Sequence, residues 1–331
     1  MTTVAVIGAG VAGLCCAREL LNQGFNVTVF EKANSIGAEA CSWYAGGMLA
    51  PWCEAESAEP IVIDHGQYAI QWWQEHVEGV QLNGSLVVSP KRDQNELNRF
   101  ARLTESYQQV DQEKLTELEP DLGSRFTRAL WYANEAHLDP RDALQHLAQQ
   151  IKNEGGAIKL QSTLENDADF DFVIDCTGYA ARDQLPELRG VKGEMLIIRS
   201  TEFSLSRPVR LLHPRHPIYI VPREDHHFML GATMLENDER GRFSVMSMLE
   251  LLSAAYALHP VLGESEIIET GVDVRPSFAN NLPALHRSQN RLYVNGLYRH
   301  GFLLAPAMAR QVVEVLNDQT RFEGLDQCAS F

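Results

Sequence analysis

The amino-acid sequence predicts an α/β fold, in which a doubly wound domain with a parallel sheet carries an inserted, mostly antiparallel α+β domain. A short apolar strand at residues 4–7 runs directly into a glycine-rich turn and a helix, as in a parallel βαβ unit. Two further buried strands, at residues 171–176 and 291–295, also end in glycine turns. Between residues 193 and 268 the pattern changes to short strands typical of an antiparallel sheet.

The glycine-rich turn has the spacing Gly8-x-Gly10-x-x-Gly13 between a strand and a helix, which indicates a Rossmann-like unit. Gly8 permits the tight turn, Gly10 lets a pyrophosphate approach the backbone, and Gly13 lets the helix pack closely. Glu31 ends the next predicted strand, at residues 26–30, where an acid can hold ribose hydroxyls. The stretch therefore predicts a bound dinucleotide and leaves NAD and FAD both open. A βαβ unit without a ligand is the alternative.

The other elements follow from apolar periodicity and from the positions of glycine and proline. Helices are predicted at residues 61–77, 95–107, 140–154, 246–256 and 302–316, with a short helix and turn at 112–122. Strands are predicted at residues 84–89, 129–132, 157–160, 194–199, 218–222 and 227–231. The acidic residues 54–59 are predicted to form a solvated loop. We assign residues 1–79, 133–192 and 270–331 to the first domain, and residues 80–132 and 193–269 to the inserted domain.

Composition argues against several classes of partner. The formal net charge is −16 without a run of lysine or arginine, so no nucleic-acid partner is expected. No targeting segment precedes the first strand, and no stretch approaches the roughly 18 apolar residues of a membrane span. Six scattered cysteines without C-x-x-C spacing predict reduced thiols and a cytoplasmic location. His213 and His216 form H-x-x-H without evident further ligands, so no metal site is predicted.

Two arginines are the best candidates for binding a substrate. Arg275 lies between the inserted domain and the last predicted strand, and Arg299 lies in the glycine-bounded turn 296–301. A guanidinium holds a carboxylate through two parallel hydrogen bonds, which lysine cannot reproduce. In an acidic protein, such an arginine would attract a small carboxylate. A surface salt bridge is the alternative for either residue, and no hydrolase or phosphate-loop signature accompanies them.

Six stretches, spread over essentially the whole chain, carry a more specific signal. They are residues 6–13, 42–51, 191–194, 219–223 with 231–234, 274–276 and 296–306. Together they resemble the D-amino-acid oxidase family of FAD-dependent oxidoreductases, and within it the glycine oxidase branch of ThiO type. The resemblance implies an FAD-binding Rossmann-like domain, a separate substrate domain, and FAD bound without a covalent link.

The resemblance also assigns roles to individual residues. It implies that cofactor-binding residues are Gly8, Gly10, Val11, Ala12, Gly13, Glu31, Lys32, Cys41, Ser42, Gly46, Gly47, Met48, Leu297, Tyr298, Arg299, His300, Gly301, Phe302 and Leu303. It implies that Arg299 binds the substrate carboxylate, with further pocket residues at Arg275, Tyr219 and Met234. His300 stands where these enzymes often carry asparagine, which leaves its hydrogen bonding to the flavin open.

The activity implied is oxidative deamination of glycine by hydride transfer to the flavin, with O2 reduced to H2O2. The imine or glyoxylate and ammonia would be released, for the thiazole moiety of thiamine. No catalytic side chain is expected, because the flavin performs the hydride transfer. Sarcosine, proline and small D-amino acids stay open as substrates. Self-association of the protein and transfer of the product to a thiazole synthase also stay open. A flavoprotein that assists or modifies a macromolecule is an alternative of another class. An NAD dehydrogenase is disfavoured, because such an enzyme would leave the C-terminal strand, turn and helix without a role.

Overall fold

The computed structural model describes residues 1–215 and 217–318, and the backbone of residues 329 and 330. His216 and Cys328, which entered the sequence analysis, lie outside the described residues. The strands are β1 (Thr3–Ile7), β2 (Asn26–Glu31), β3 (Met48–Leu49), β4 (Ser85–Val88), β5 (Gln108–Asp111), β6 (Arg128–Tyr132), β7 (Ala136–His137), β8 (Ala157–Leu160), β9 (Phe172–Asp175), β10 (Arg189–Arg199), β11 (Val209–Leu211), β12 (Ile218–Pro222), β13 (His227–Gly231), β14 (Glu266–Ser277), β15 (Ala284–Ser288), β16 (Arg291–Asn295) and β17 (Ala329–Ser330).

The α-helices are α1 (Val11–Asn22), α2 (Pro51–Glu54), α3 (Pro60–His76), α4 (Gln94–Leu103), α5 (Gln112–Leu118), α6 (Pro120–Gly123), α7 (Pro140–Asn153), α8 (Val245–Leu258) and α9 (Gly301–Asn317). The helix predicted at residues 95–107 is confirmed over residues 95–103 and wrong over its last four residues, because α4 ends at Leu103 and β5 begins at Gln108. Within the described residues, no helix combines the length and hydropathy needed to cross a bilayer.

Seven strands form a mainly parallel sheet in the order β17-β15-β16-β9-β1-β2-β8. The strands from β16 to β8 are parallel, whereas β15 pairs antiparallel with β16. Val4 and Val6 of β1 are buried in a cluster with helices α1, α3, α7 and α9, and Ala5 packs on the other face with Phe30 and Val173. This arrangement confirms the predicted Rossmann-like α/β architecture and fixes the glycine turn at the carboxyl end of a buried strand.

Eight strands form the second sheet, in the order β14-β10-β13-β12-β11-β4-β6-β5. Neighbours are antiparallel except for β11 and β4. Helix α8 covers this sheet by packing against β10, β12 and β13. These strands come from residues 85–132 and 189–277, so the mostly antiparallel insertion is confirmed as a fold class. The residue boundaries of the two domains stay a prediction.

The sequence pattern gave no indication of β14, which pairs along most of its length with β10. Its first half exposes Ile267 and Ile268 consecutively, which breaks the alternation expected of a half-buried strand. Its second half carries Asp273 and Arg275 to the wall of a large cavity. The longest strand pairing of the second sheet therefore helps to build the site.

Candidate functional site

A cavity of about 630 Å³ is lined by residues from both sheets and from the N-terminus of α9. All residues predicted to bind cofactor or substrate line it, except Gly13. Gly13 instead packs behind the wall, where an added Cβ would lie 1.9 Å from the Gly8 carbonyl oxygen. The fold therefore brings stretches from the beginning, middle and end of the chain to one cavity.

The glycine turn forms the wall at the first end of this cavity. Gly8 has φ +99°, and an added Cβ would lie 2.8 Å from the Cys176 carbonyl oxygen. Gly10 caps α1 without a side-chain hydrogen bond, and the Val11 N–H donates to Ser42 Oγ at 3.3 Å. The positive end of the α1 dipole thus lies at the cavity wall, where it favours a phosphate group.

Glu31, at the end of β2, is buried beside the glycine turn. Its Oε2 accepts from the Ala9 N–H at 2.7 Å, and its Oε1 accepts from the Ala33 N–H at 2.9 Å. These two bonds fix the carboxylate at the cavity wall while leaving lone pairs on both oxygens. Lys32 also lines the cavity here.

The stretch from Cys41 to Met48 forms the middle of the wall. Gly46 is in close contact with Tyr219, since an added Cβ would lie 2.7 Å from the tyrosine ring. Gly47 has φ +68° and lies against the Leu138 carbonyl, which an added Cβ would approach to 2.1 Å. Gly47 accepts only glycine, and a side chain at position 46 would displace the Tyr219 ring. Shielding from water raises the pKa of the Cys41 thiol to about 12.

The turn before α9 forms the far part of the wall. Gly296 and Tyr298 have φ of +81° and +51°, and the Tyr298 N–H donates to the Pro276 carbonyl oxygen at 2.8 Å. The turn therefore depends on β14 for its position. His300 caps α9 and is buried, and its Nδ1 has no hydrogen-bond partner among the described residues. The start of α9, at Gly301, Phe302 and Leu303, lines the cavity with its positive dipole end.

Glu54, which the sequence analysis placed in a solvated loop, is instead buried in the cavity wall. Its Oε1 lies 2.7 Å from Arg210 Nη2, and its Oε2 lies 2.7 Å from Arg299 Nη2 and 2.9 Å from His300 Nε2. Burial alone would raise the pKa of Glu54, but the charges of Arg299 and Arg210 and the His300 hydrogen bond hold it well below its usual range. Glu54 is therefore an ionised carboxylate at neutral pH.

Arg275 differs from Arg299 in its partners. Its Nη1 donates to the Thr233 carbonyl oxygen at 3.0 Å, and its guanidinium packs directly on Gly193. Within the part of the chain that the structure describes, no carboxylate pairs with it. The Arg299 guanidinium contacts Glu54, Ser57 Oγ at 2.6 Å and His300. Arg275 is consequently the guanidinium with more free donors.

Tyr219 and Met234 complete what we call the arginine pocket, together with Glu54, Arg210, Arg275 and Arg299. Burial raises the pKa of the Tyr219 phenol, which stays neutral at pH 7. The Met234 sulfur lies 3.9 Å from Arg299 Nη1 and 3.5 Å from the Tyr298 hydroxyl. The sequence analysis missed Glu54 and Arg210. No local signal marks either residue, because their contacts join positions 156 residues apart.

The cavity fits an adenine dinucleotide with a flat ring at its other end. The α1 N-terminus and Glu31 would hold pyrophosphate and ribose, and the close-packed backbone at Gly46 and Gly47 would face the ring. The orphaned His300 Nδ1 and the start of α9 offer further polar contacts for that ring. No cluster of three or more metal-ligating side chains occurs among the described residues.

This geometry defines the class of the protein, an oxidoreductase that uses a dinucleotide cofactor beside a small cationic pocket. Residues 3–315 match the FAD dependent oxidoreductase (DAO) family. The chain therefore belongs to this family and is an FAD-dependent oxidoreductase.

Curated relatives match nearly the whole chain. The oxidoreductase ThiO of Rhizobium etli, named for thiamine biosynthesis, is 53% identical over 314 residues, covering 95% of this chain and 96% of its own. A glycine oxidase of Pseudomonas aeruginosa is 28% identical, with 95% and 94% covered. The crystal structure of glycine oxidase from Geobacillus kaustophilus has a TM-score of 0.79 at 20% identity, covering 100% of this chain and 97% of that one. The last comparison supports the fold.

Proposed function

We propose that this protein oxidises glycine to glyoxylate and ammonia, with O2 as the final electron acceptor. The observation that carries the proposal is Arg275, a guanidinium without a carboxylate partner in the described chain, in the same cavity as the dinucleotide site. The ThiO and glycine oxidase relatives support glycine as the substrate. The overall reaction balances as glycine + O2 + H2O giving glyoxylate + NH3 + H2O2.

When bound, FAD supplies a two-electron acceptor that takes the hydride from the substrate Cα and reduces O2. The chain supplies the positioning. Arg275 would hold the glycine carboxylate through two parallel hydrogen bonds, with Arg299 beside it, and Tyr219 would close the pocket over the Cα. The start of α9 would stabilise negative charge that develops next to it.

No side-chain base is required, because glycine would enter with a neutral amine. In the pocket, Glu54 is engaged by three partners and the Tyr219 phenol stays neutral. Neither group is therefore in a state to accept a proton readily. The pocket residues hold and orient the substrate, and they exclude water from it.

Sarcosine or a small D-amino acid is the alternative substrate class. Met234 is 53% exposed, so the wall nearest to Arg299 can give way to an extra methyl group. The acidic net charge of −16 disfavours a nucleic-acid substrate. The name of the Rhizobium etli relative supports a place in thiamine synthesis, where the imine or glyoxylate would pass to a thiazole synthase. Self-association and a cytoplasmic location stay predictions.

The test is a spectrum of the purified protein followed by anaerobic titration with glycine. We expect yellow protein whose visible flavin absorption bleaches with glycine, and peroxide formation after air is admitted. Parallel titrations with sarcosine, D-alanine and L-proline rank the substrates. Protein that carries FAD but is not reduced by glycine would overturn the proposal, and faster reduction by sarcosine would transfer it to the alternative.

A further inference from the structure

The arginine pocket contains two places where a guanidinium can hold an anion, and one of them is already filled by the chain. Arg210 Nη2 and Arg299 Nη2 each lie 2.7 Å from one carboxylate oxygen of Glu54. Arg275 holds only the Thr233 carbonyl oxygen among the described residues. One anion site is thus closed by an internal carboxylate, and the other stays available to a substrate.

The two sites are neighbours. Arg275 Nη1 contacts the carbonyl of Thr233, and Arg299 Nη1 lies 3.9 Å from the sulfur of Met234. The two guanidiniums therefore contact consecutive residues of the chain, Thr233 and Met234. Arg275, Arg210, Glu54 and Arg299 all line the same cavity as Tyr219. A short dicarboxylate could therefore reach from one site to the other.

The position of Glu54 is fixed by the fold rather than by its arginine partners alone. The preceding Cys53 N–H donates to the buried Glu135 Oε1 at 2.8 Å. Pro51, which begins the same short helix, packs against Gly66 of α3, where an added Cβ would lie 2.7 Å away. Glu54 cannot easily withdraw from the pocket, so it keeps its charge in place whatever ligand enters.

Resting on the function proposed above, we infer that Glu54 is an internal carboxylate that fills a second anion site and so restricts the pocket to amines with a single carboxylate. A second carboxylate on the substrate would be repelled by the negative charge of Glu54. It could not pair with the guanidiniums of Arg210 and Arg299, because Glu54 already binds both. Glutamine at this position would keep the shape and remove the charge. That change would free Arg210 and Arg299 for an external anion, and dicarboxylic amines would become ligands.

The test uses acetate and malonate, which carry one and two carboxylates and are not oxidised. Dissociation constants are measured for FAD-loaded wild type, Glu54→Gln and Glu54→Ala, from the perturbation of the flavin spectrum and, separately, from the shift in unfolding temperature at fixed ionic strength. We expect wild type to bind malonate no more tightly than acetate. Glu54→Gln should bind malonate about ten-fold or more tightly than wild type, the scale of one charge-assisted hydrogen bond, with acetate changed by less than about three-fold.

Glu119→Gln is the matched control. Glu119 is also buried and paired with an arginine, Arg207, at 2.8 Å, but neither residue lines the cavity. It should leave the malonate-to-acetate ratio unchanged. Adding Arg210→Gln to Glu54→Gln should abolish the gain in malonate affinity.

Two results would overturn the inference. The first is that the wild-type protein already binds malonate more than about ten-fold more tightly than acetate, which is measured without any variant. The other is no gain in malonate affinity in either Glu54 variant that folds. Because neither ligand reacts, these outcomes do not depend on whether glycine reduces the flavin, so failure of the proposed function is recognised separately.

Discussion

Replacing Arg275 with methionine tests which guanidinium receives the substrate carboxylate. Of the five N–H donors of Arg275, one is engaged by Thr233 within the described chain, so a bidentate pair with a carboxylate remains available. Arg299 Nη2 is engaged by Glu54 and Ser57, and Arg299 Nε lies 3.2 Å from His300 Nε2. Hydrogen bonds to charged groups contribute roughly 1.5–3 kcal/mol each, so losing two at Arg275 should weaken glycine binding by about 100-fold or more.

Arg299→Met is the comparison variant, and we expect it to weaken glycine binding by roughly ten-fold, because Nη1 is the nitrogen of Arg299 left for a ligand and it already lies 3.9 Å from the Met234 sulfur. The assay is stopped-flow anaerobic reduction of the bound flavin at increasing glycine concentration, which separates the dissociation constant from the reduction rate. Thermal unfolding of each variant shows whether a loss is local. If Arg299→Met loses more glycine affinity than Arg275→Met, our assignment of the two arginines is reversed.

Three further outcomes follow from the contacts described above. Gly13→Ala should lose most of its FAD affinity and unfold at a lower temperature, because the added Cβ would lie 1.9 Å from the Gly8 carbonyl oxygen. Flavin fluorescence measures the FAD affinity and thermal melting measures the stability. Unchanged FAD binding would contradict the close packing at Gly13. Glu31→Gln should weaken FAD binding by about ten-fold and also lower the melting temperature of the FAD-free protein, because the amide oxygen can accept from Ala9 or from Ala33 but not from both. An FAD affinity equal to that of wild type would contradict a role of the Glu31 carboxylate at the cofactor. Burial raises the pKa of Glu135 from 4.5 to about 7, so the folded state binds the extra proton and stability is lost as the pH rises through that window. Glu135→Gln should remove a pH dependence on the order of 3 kcal/mol in the free energy of unfolding between pH 5 and 8; identical slopes in denaturant titrations of the two proteins would refute it.

Contacts within one short stretch are what the sequence could predict. Gly8, Gly10 and Gly13 fall between a strand and a helix, and Gly8 and Gly13 are required by atoms of that same unit or of the strand beside it. The last turn and helix follow in the same way, since α9 begins at Gly301, one residue before the predicted start. Backbone strain and close packing leave a mark in the local sequence, because only glycine satisfies them.

Contacts between distant stretches are what only the tertiary structure decided. Glu54 belongs to an acidic segment, and its local pattern is that of a solvated loop. It is buried because Arg210 on β11 and Arg299 before α9 reach it from far along the chain, and their charges offset the cost of burying a carboxylate. The same holds for Arg275, whose availability depends on which partners β14 places around it. Residue type and spacing thus identified the cofactor site, whereas the charge balance of the pocket depends on side chains that meet only after the two sheets have formed.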